Sequence, residues 1–566
     1  MKKVFTFKIG GEAGFGIMSA GLMFSKIAVR SGYSIFSYVE YPSLIRGGHN
    51  VLQVSVSKDP VRSPRKTTDF LVALNQETID LHKDELVRGA GLIYDKTQGM
   101  KVSNVSQKIN AFSIPIRDLA VETAGNVLMA NTVTLGATIA LLGGELKHLK
   151  DLIEEAFKGK DPEIIEKNIK ACQAGYDYAL DNYKKGVMFA LKPRLAKKQI
   201  VVSANESIAF GSVAAGLQFA AIYPMTPTSN ILHNLAPLQE KFNFIYEQPE
   251  DEISAINMAI GASFAGARSL VATSGGGFAL MVEGYGLAGA TETPVVIVEG
   301  MRAGPATGMP TWTEQGDLRF LLHAAHGDFP RIVLAPGDAE ESFYMTMEAF
   351  NLAEKYQTPV IIIVDKHICE GSASFPLFNT SKYSINRGKL IFKKKNNYLR
   401  YGLSPDGISE RSIPGSGNFF VSNSDEHNEI GFSDESSKNR VQQMEKRMKK
   451  IKTCIEKDMI SPKLFGPKKA ETTLVSWGSN KGAVLDAIEG IPNVNFLHLN
   501  WISPFPVRAV KRILGNAKRI IGIENNYSGQ MAGLIKQETG IEIVEKLLKY
   551  DGRPIFPEEI VKKLRS

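Results

Sequence analysis

Four polar loops carry the residues of this chain whose types and spacing could do chemistry. They lie at residues 223–227, 247–252, 273–277 and 302–308. Each loop follows a short apolar run that predicts a strand, and each precedes helical periodicity. In open parallel α/β sheets, ligands bind at the carboxyl ends of the strands. We therefore predict that the four loops form one wall of an active site.

Three consecutive acids occupy the second loop. Apolar residues recur at helical spacing from Ile253 to Phe264, which places Glu250, Asp251 and Glu252 in a first helical turn. Acids in that position commonly do no more than complement the helix dipole. The alternative is that one of them shares a proton with a bound heterocycle, and the residues alone leave both interpretations open.

The third loop is rich in glycine. Ser274, Gly275, Gly276 and Gly277 are predicted to form a loop ahead of a helix that starts at Phe278. Backbone N–H groups in such a loop can approach a ligand closely. The segment is not a P-loop, because no Gly-Lys-Ser/Thr follows it.

Arg302 begins the fourth loop, directly after a predicted strand at 294–299. An arginine at this place is either a surface charge or a fork that binds a carboxylate in two-pronged fashion. The surrounding residues do not decide between these functions.

Four motifs in these loops, taken in order, extend the interpretation. They are Tyr-Pro-Met-Thr-Pro at 223–227, Pro-Glu-Asp-Glu-Ile-Ser-Ala-Ile at 249–256, Thr-Ser-Gly-Gly-Gly-Phe at 273–278 and Arg-Ala-Gly-Pro-Ala-Thr-Gly-Met-Pro-Thr at 302–311. Together they resemble the alpha subunits of 2-oxoacid:ferredoxin (or flavodoxin) oxidoreductases, in the form with a gamma domain fused ahead of the alpha part. The resemblance implies oxidative decarboxylation of a 2-oxoacid with thiamine diphosphate and capture of the acyl group by coenzyme A. Ferredoxin or flavodoxin would accept the electrons.

The same resemblance assigns roles to matching residues. Glu252 and Thr226 would be catalytic, with Glu252 bonding the aminopyrimidine ring of thiamine diphosphate and controlling its proton. Arg302, Thr311 and Tyr223 would bind the 2-oxoacid. Contacts to the cofactor are expected from Glu252, Pro227, Ser274, Gly275 and Gly276. Trp312 departs from the family pattern, so the resemblance does not indicate which substrate side chain is preferred.

Composition describes an ordinary soluble protein, with 43% hydrophobic and 22% charged residues. The 67 basic and 59 acidic residues give a formal net charge of +8 and are interspersed, so we expect no nucleic-acid binding. A weak preference for an acidic partner such as a ferredoxin is compatible with this charge.

The three cysteines, Cys172, Cys369 and Cys454, are too far apart for a disulfide framework, a metal site or an iron–sulfur cluster. No run of 18 apolar residues occurs, and the residues after Met1 do not form a signal peptide. A cytoplasmic protein without membrane contact is expected, with no metal site of its own.

The N-terminal segment allows two interpretations. A predicted strand at 4–9, a glycine loop at 10–16, a helix at 17–29 and a strand at 34–39 ending at Glu40 suggest a dinucleotide-binding unit. Its glycine spacing is wrong for the strict fingerprint. The segments at 41–48 and 131–136 instead resemble the gamma domain, where they line a coenzyme A path or a subunit contact. An NAD-linked dehydrogenase remains the alternative.

The predicted fold is a multidomain α/β protein. Its segments are a gamma-type α/β domain at 1–190, a pyrimidine-binding domain with a parallel sheet at 191–375, an excursion with a connecting helix at 376–470, and a transketolase C-terminal-like domain at 471–566. The boundary between the gamma-type domain and the pyrimidine-binding domain is predicted to lie in a basic linker at 184–198. The stretch 379–439 is either a disordered linker or an ordered excursion. An apolar stripe at 441–455 is expected to pack on the body.

One motif expected of thiamine diphosphate enzymes is missing. No Gly-Asp-Gly occurs, so the chain offers no ligand set for Mg²⁺. The resemblance then implies a separate beta subunit that supplies Mg²⁺, the diphosphate contacts and a [4Fe-4S] cluster, in a heterodimer or heterotetramer. The excursion resembles that of family members that act on 2-oxoglutarate, and this resemblance favours 2-oxoglutarate over pyruvate or a branched-chain 2-oxoacid. A non-catalytic scaffold subunit is a further alternative.

Overall fold

The computed structural model describes residues 3–44, 47–184, 186–381 and 383–566. Outside these ranges lie Met1, Lys2, Ile45 and Arg46 of the gamma-like segment 41–48, Lys185 of the predicted linker, and Lys382. The chain forms two compact units. The N-terminal unit comprises Met1–Val202, Gly371–Phe378 and Phe556–Ser566, and the second unit comprises Ser203–Glu370 and Asn379–Ile555.

The elements alternate between strand and helix along most of the chain. The first group is β1 (Phe5–Glu12), α1 (Ile17–Arg30), β2 (Ser34–Glu40), β3 (His49–Ser57), β4 (Thr68–Ala73), α2 (Gln76–His82), β5 (Leu86–Tyr94), β6 (Asn110–Ser113), α3 (Ile116–Ala124), α4 (Ala130–Leu141), α5 (Leu146–Ala156), α6 (Pro162–Asn182) and β7 (Gln199–Ser203). The second group is α7 (Ala204–Ala214), β8 (Phe219–Ala221), α8 (Ser229–Leu235), α9 (Gln239–Phe242), β9 (Ile245–Glu247), α10 (Glu252–Phe264), β10 (Ser269–Thr273), α11 (Gly275–Ala290), β11 (Val295–Met301), α12 (Leu318–His323), β12 (Ile332–Leu334), α13 (Ala339–Tyr356), β13 (Pro359–Asp365), α14 (Lys366–Glu370) and β14 (Ser372–Pro376). The third group is β15 (Leu390–Ile391), β16 (Arg411–Ser412), α15 (Ser437–Lys457), β17 (Lys463–Phe465), β18 (Thr472–Trp477), α16 (Asn480–Ile488), β19 (Val494–Leu499), β20 (Trp501–Ser503), α17 (Val507–Leu514), β21 (Arg519–Glu524), α18 (Gln530–Thr539), β22 (Glu545–Leu548) and α19 (Pro557–Arg565).

The sheet of the N-terminal unit has the strand order β6-β5-β4-β1-β3-β2-β14-β7. β1 is parallel to β4, but β3 runs antiparallel between β1 and β2. A dinucleotide-binding unit places its first two strands side by side and parallel, so that an acid at the end of the second reaches the ribose. Because β3 separates β1 from Glu40, the NAD site considered from the sequence is not formed.

The helices α4 and α6 pack closely in this unit, which accounts for the motif at 131–136. A methyl group at Gly136 would lie 1.9 Å from the carbonyl oxygen of Cys172, and one at Gly175 would lie 2.0 Å from that of Val133. Neither position accepts a side chain without moving a backbone. The glycine of this motif therefore serves helix packing.

The second unit contains a seven-stranded sheet in the order β20-β12-β13-β11-β10-β8-β9, parallel except for β20. Every residue of the strands β11 and β13 is buried, as expected for apolar strands covered on both faces. A five-stranded sheet, β17-β19-β18-β21-β22, lies in the same unit. These sheets confirm the predicted α/β class. The division into four segments stays a prediction.

The stretch after residue 379 is ordered where it is described and is attached by buried charges. Glu354 accepts hydrogen bonds from Arg268 and Arg411, each at 2.7 Å, and from Arg387. All of these groups except Arg387 are almost fully buried. A buried carboxylate with several guanidinium partners strongly disfavours release of the segment that carries them.

The predicted packing of the 441–455 stripe was wrong. Helix α15 buries its polar face, where Lys446 and Lys450 each lie 2.5 Å from the fully buried carboxylate of Glu292. The stripe residues Val441 and Ile455 are 55% and 42% exposed. Burying the carboxylate of Glu292 without a positively charged partner would cost more free energy than exposing part of an apolar stripe. The ion pairs with Glu292 therefore determine the orientation of the helix.

Within the described ranges, no single helix is long and apolar enough to cross a membrane. The pair Ile116–Ala124 and Val127–Leu141 reaches the required length and composition only together, across a bend of 119°.

Candidate functional site

The candidate site lies at the carboxyl ends of the strands β8, β10 and β11 in the second unit. Val271 of β10 pairs with Ala221 of β8, and Thr273 of β10 pairs with Glu299 of β11. The three strands therefore end at the same edge of the sheet, and their following loops begin side by side. This is the arrangement that the sequence predicted for its polar loops.

Glu252 is the first residue of α10 and is only 3% exposed. Its atom Oε1 is buried and has no hydrogen-bond partner among the described residues. The expectation that three acids share one helical turn was wrong. Asp251 is the N-cap and accepts the backbone N–H of Ser254 at 2.7 Å, while Glu250 precedes the helix and is exposed. Because Asp251 already caps the helix, the burial of Glu252 is not explained by capping.

The glycines after β10 belong to a helix. Helix α11 begins at Gly275 with Ser274 as its N-cap residue, so the prediction of a loop up to Phe278 was wrong. A methyl group at Gly277 would lie 2.5 Å from Glu252 Oε1, whereas one at Gly276 would meet no atom within 4 Å. Gly277 therefore gives Glu252 its room, and Gly276 faces open space.

The Tyr223–Pro227 motif packs against the ends of β10 and β11. Pro227 donates no hydrogen bond, but its carbonyl accepts one from the side-chain amide of Asn205 at 2.8 Å. A methyl group at Gly300 would lie 3.0 Å from the Pro227 ring, and Thr273 Oγ1 lies 4.0 Å from the Met225 sulfur. The loop thus contacts Thr273 at the end of β10 and Arg302 just after β11.

Arg302 is half-buried and is not a free surface charge. Its guanidinium donates to the carbonyl oxygen of Thr226 at 3.0 Å. Burial lowers the pKa of Arg302, and the nearby carboxyl of Asp317 opposes that change. The structure therefore brings the predicted catalytic loop and the predicted carboxylate fork into direct contact.

The rest of the substrate loop is held by the C-terminal part of the same unit. Thr311 is 5% exposed, and Tyr223 is half-buried at the start of its own loop. The guanidinium of Arg553 lies 3.4 Å from the centre of the Trp312 ring. Thr313 donates its backbone N–H to the carbonyl of Gly552 at 3.1 Å. Trp312 is thus part of a cation–π contact.

Gln315 is a buried residue that the sequence did not single out. Its side-chain oxygen accepts the amide of Asn480 at 2.7 Å, and its side-chain nitrogen donates to the carbonyl of Trp477 at 3.1 Å. Its backbone N–H donates to the carbonyl of Asn525 at 2.7 Å. A single glutamine has no motif that would reveal such a role. It fixes the substrate loop to the segment that was expected to be architectural.

The described residues suit the aminopyrimidine ring of thiamine diphosphate but provide no cluster of side chains for a metal ion. Glu252 Oε1 is an orphaned buried acceptor, and Ser274 Oγ is likewise buried and without a partner in the described ranges. These atoms could receive the polar edge of an aminopyrimidine ring. No group of three or more metal-ligating side chains occurs in the described part of the chain. The residues present suit the ring half of the cofactor.

Two family descriptions match the chain. Residues 211–446 match "Pyruvate flavodoxin/ferredoxin oxidoreductase, thiamine diP-bdg", and residues 6–178 match "Pyruvate ferredoxin/flavodoxin oxidoreductase". The first range contains the whole candidate site, and the second contains most of the sheet of the N-terminal unit.

Full-length relatives agree with these matches. The 2-oxoacid:ferredoxin oxidoreductase subunit alpha of a Sulfolobus species is 34% identical, over 98% of this chain and 96% of that protein. The 2-oxoglutarate oxidoreductase subunit KorA of Mycobacterium tuberculosis is 28% identical, over 99% and 91%. The solved 2-oxoglutarate:ferredoxin oxidoreductase from Magnetococcus marinus, with 2-oxoglutarate, coenzyme A and succinyl-CoA bound, has a TM-score of 0.92 at 30% identity. That match covers 100% of this chain and 99% of the other.

The fold and the matches define a subunit of an oxidoreductase with a thiamine diphosphate-binding domain. The chain belongs to the alpha subunits of the 2-oxoacid:ferredoxin oxidoreductases. The resemblance stated from the four motifs is thereby confirmed, as is the enzyme class. The roles assigned to individual residues stay predictions.

Proposed function

We propose that this chain acts with a beta subunit to decarboxylate and oxidise a 2-oxoacid, with 2-oxoglutarate as the substrate and coenzyme A as the acyl acceptor. Electrons would pass to a ferredoxin or flavodoxin. The relatives named for 2-oxoglutarate, and the solved relative that holds 2-oxoglutarate, coenzyme A and succinyl-CoA, support this substrate. Pyruvate or a branched-chain 2-oxoacid is the alternative substrate.

The observation that carries the proposal is the orphaned Oε1 of Glu252. Burying a carboxyl group without a hydrogen-bond partner is costly, so its retention beside Gly277 needs a reason beyond helix stability. Such a group could hold a proton at the ring nitrogen of an aminopyrimidine. When bound, thiamine diphosphate supplies the carbon nucleophile and the electron sink for decarboxylation.

The remaining residues of the chain have roles that follow from their contacts. Arg302, tethered to the carbonyl of Thr226, presents charged N–H donors to a substrate carboxylate. Thr311, shortly after Arg302 in the chain, and Tyr223, in the same motif as Thr226, would complete the substrate contacts. Ser274, with the exposed Gly276 beside it at the start of α11, leaves an open approach for the cofactor. These residues bind and orient, and Glu252 moves the proton.

A partner is needed for the rest of the cofactor. The described residues contain no cluster of metal-ligating side chains, and the relatives are named as alpha subunits. We infer a beta subunit that provides Mg²⁺, the diphosphate contacts and a [4Fe-4S] cluster, as a heterodimer or heterotetramer. Ile253, next to Glu252 on α10, and Leu280, three residues after Gly277 on α11, are 49% and 50% exposed. Apolar side chains at that place suit a subunit interface.

The test is reconstitution with the beta subunit. The complex should reduce a ferredoxin or a viologen dye only when a 2-oxoacid and coenzyme A are both present, and 2-oxoglutarate should give the highest kcat/KM. A complex that assembles but turns over no 2-oxoacid would support the scaffold alternative. A highest kcat/KM for pyruvate would overturn the substrate assignment alone.

A further inference from the structure

The substrate loop, residues 302–315, is closed on itself by three backbone hydrogen bonds. The N–H of Ala303 donates to the carbonyl oxygen of Trp312 at 3.3 Å, and the N–H of Met309 donates to the carbonyl oxygen of Ala303 at 2.8 Å. The N–H of Trp312 donates in turn to the carbonyl oxygen of Met309 at 3.0 Å. These three bonds are called the neck of the loop below.

The neck joins the chain neighbours of two predicted substrate contacts. Arg302 immediately precedes Ala303, and Thr311 immediately precedes Trp312. The residues between them at 304–308 are exposed, so side-chain packing contributes little to holding this part of the loop. A displacement of Trp312 would therefore change the spacing between Arg302 and Thr311.

Trp312 is also held from outside the loop, by a turn near the end of the same unit. The central guanidinium carbon of Arg553 lies 3.4 Å from the centre of the Trp312 ring, which is van der Waals contact between two planar groups. The N–H of Thr313 donates to the carbonyl oxygen of Gly552 at 3.1 Å. A methyl group at Gly552 would lie 3.1 Å from Trp312 Cβ, so the backbone of the turn packs against this residue as well.

The turn that carries Arg553 has supports of its own. The guanidinium of Arg553 donates to the carbonyl oxygen of Asp551 at 3.2 Å, and its backbone N–H donates to the Asp551 carboxylate at 3.0 Å. The side-chain amide of the buried Asn525 donates to the carbonyl oxygens of Lys549 at 2.8 Å and of Arg553 at 3.2 Å. Arg553 is therefore held beside the Trp312 ring by contacts that do not involve the ring itself.

We propose that the stack of Arg553 on Trp312 fixes the neck of the substrate loop and makes Arg553 a positioning residue for the 2-oxoacid. The stack keeps Arg302 and Thr311 at the spacing that binds the substrate, and this part of the inference rests on the proposed function. Arg553 acts through Trp312 and has no contact of its own with the reacting atoms. A loop that is fixed before the substrate arrives loses less conformational freedom on binding.

Tryptophan fluorescence of the full-length chain tests the stack without any turnover. Of the three tryptophans, Trp477 and Trp501 are 0% and 2% exposed, so a change in solvent access reports the half-buried Trp312. Arg553→Ala should uncover the ring, shift its emission to longer wavelength and increase its quenching by acrylamide. Arg508→Ala removes an exposed arginine from α17 and is the matched control, with an unchanged spectrum. Equal emission and quenching in Arg553→Ala and the wild type would overturn the stack.

Steady-state kinetics of the reconstituted complex test the positioning role. Arg553→Ala should raise KM for the 2-oxoacid about threefold to thirtyfold, the range for one lost cation–π contact, while kcat falls much less. Arg553→Lys should recover part of the loss, because an ammonium group can still lie over the ring. Arg508→Ala should leave KM unchanged. A wild-type KM in Arg553→Ala would overturn the positioning role.

A double-mutant cycle shows whether the two side chains act through one contact. Trp312→Leu removes the ring and should raise KM by itself. Adding Arg553→Ala to Trp312→Leu should then change KM by less than about twofold, because the partner of the guanidinium is already gone. Effects of the two substitutions that simply multiply would overturn the proposal.

The outcomes distinguish this inference from the proposed function. An inactive wild-type complex would overturn the proposed function and with it the substrate role of the stack, whereas the fluorescence would still decide the contact between Arg553 and Trp312. Thermal melting and recovery with the beta subunit identify a folding defect. If Arg553→Ala does not fold, Arg553→Gln, which keeps a planar polar group without the charge, replaces it in the same measurements.

Discussion

Replacing Glu252 with glutamine should abolish turnover and leave the fold intact. The substitution preserves the side chain's size, so the contact with Gly277 is kept. The cap of α10 is also untouched, because Asp251 supplies it through the N–H of Ser254. Only the ability of Glu252 to hold and return a proton is lost.

The expected loss of folding stability is much smaller than the expected loss of catalytic rate, so the two can be measured separately. Loss of one carboxylate from a first helical turn costs about 0.3–1 kcal/mol of folding stability. A general acid–base group contributes about 10²–10⁴-fold in rate, which at about 1.36 kcal/mol per decade corresponds to about 2.7–5.4 kcal/mol. Turnover should therefore drop by at least two decades with little change in thermal melting.

Two measurements on the reconstituted complex check this expectation. They are hydrogen–deuterium exchange at the reactive carbon of thiamine diphosphate and 2-oxoacid-dependent dye reduction. Glu250→Gln and Asp251→Asn are the matched controls. Glu250 is exposed, and asparagine caps a helix nearly as well as aspartate. Wild-type exchange in Glu252→Gln, with slowed exchange in either control, would refute the assignment of the proton-transfer residue.

Three further predictions concern the same site and the cysteines. Arg302→Ala should raise KM by the equivalent of about 1.5–3 kcal/mol and Arg302→Lys should recover only part of it, whereas an unchanged KM for every 2-oxoacid would contradict the carboxylate role. Gly277→Ala should lower stability by about 1–3 kcal/mol through overpacking, measured by thermal or urea unfolding, while Gly276→Ala, with open space around it, should not. The chain purified alone should contain no stoichiometric iron or sulfide, since its three described cysteines are buried and burial raises the pKa of Cys172 and Cys454 to about 12. A brown preparation would contradict this.

Strands and the loops that follow them were largely predictable from the sequence. The strands Pro359–Asp365, Thr472–Trp477 and Val494–Leu499 begin and end where the apolar runs do. Parallel strands buried on both faces leave a continuous apolar signal, and glycine, proline and charge mark where each one stops. The loops that follow β8, β10 and β11 likewise led to the candidate site, whose individual residue roles stay predictions.

What the sequence did not reveal depends on contacts distant along the chain. Glycine is a poor helix former, so a helix starting at Gly275 is not expected from propensity, yet close packing against Asp317 and Glu252 requires glycines there. The orientation of α15 depends on the contact between Lys446 and Glu292, two residues that lie more than 150 positions apart in the chain. In the sequence Glu299 looks like an ordinary strand residue. Only the structure shows that its buried carboxyl oxygens have no hydrogen-bond partner among the described residues.

The return of the chain to its first sheet determines how the protein can be divided. Strand β14 lies between β2 and β7, with Ala373 opposite Phe36 and the N–H of Ser372 bonded to Ser37 at 2.8 Å. A polypeptide ending at residue 202 would lack this strand and would present the bare edge of β2 to solvent, where edge strands invite aggregation. Split expression would therefore need fragment complementation, with residues 371–378 supplied on the second fragment or grafted onto the first.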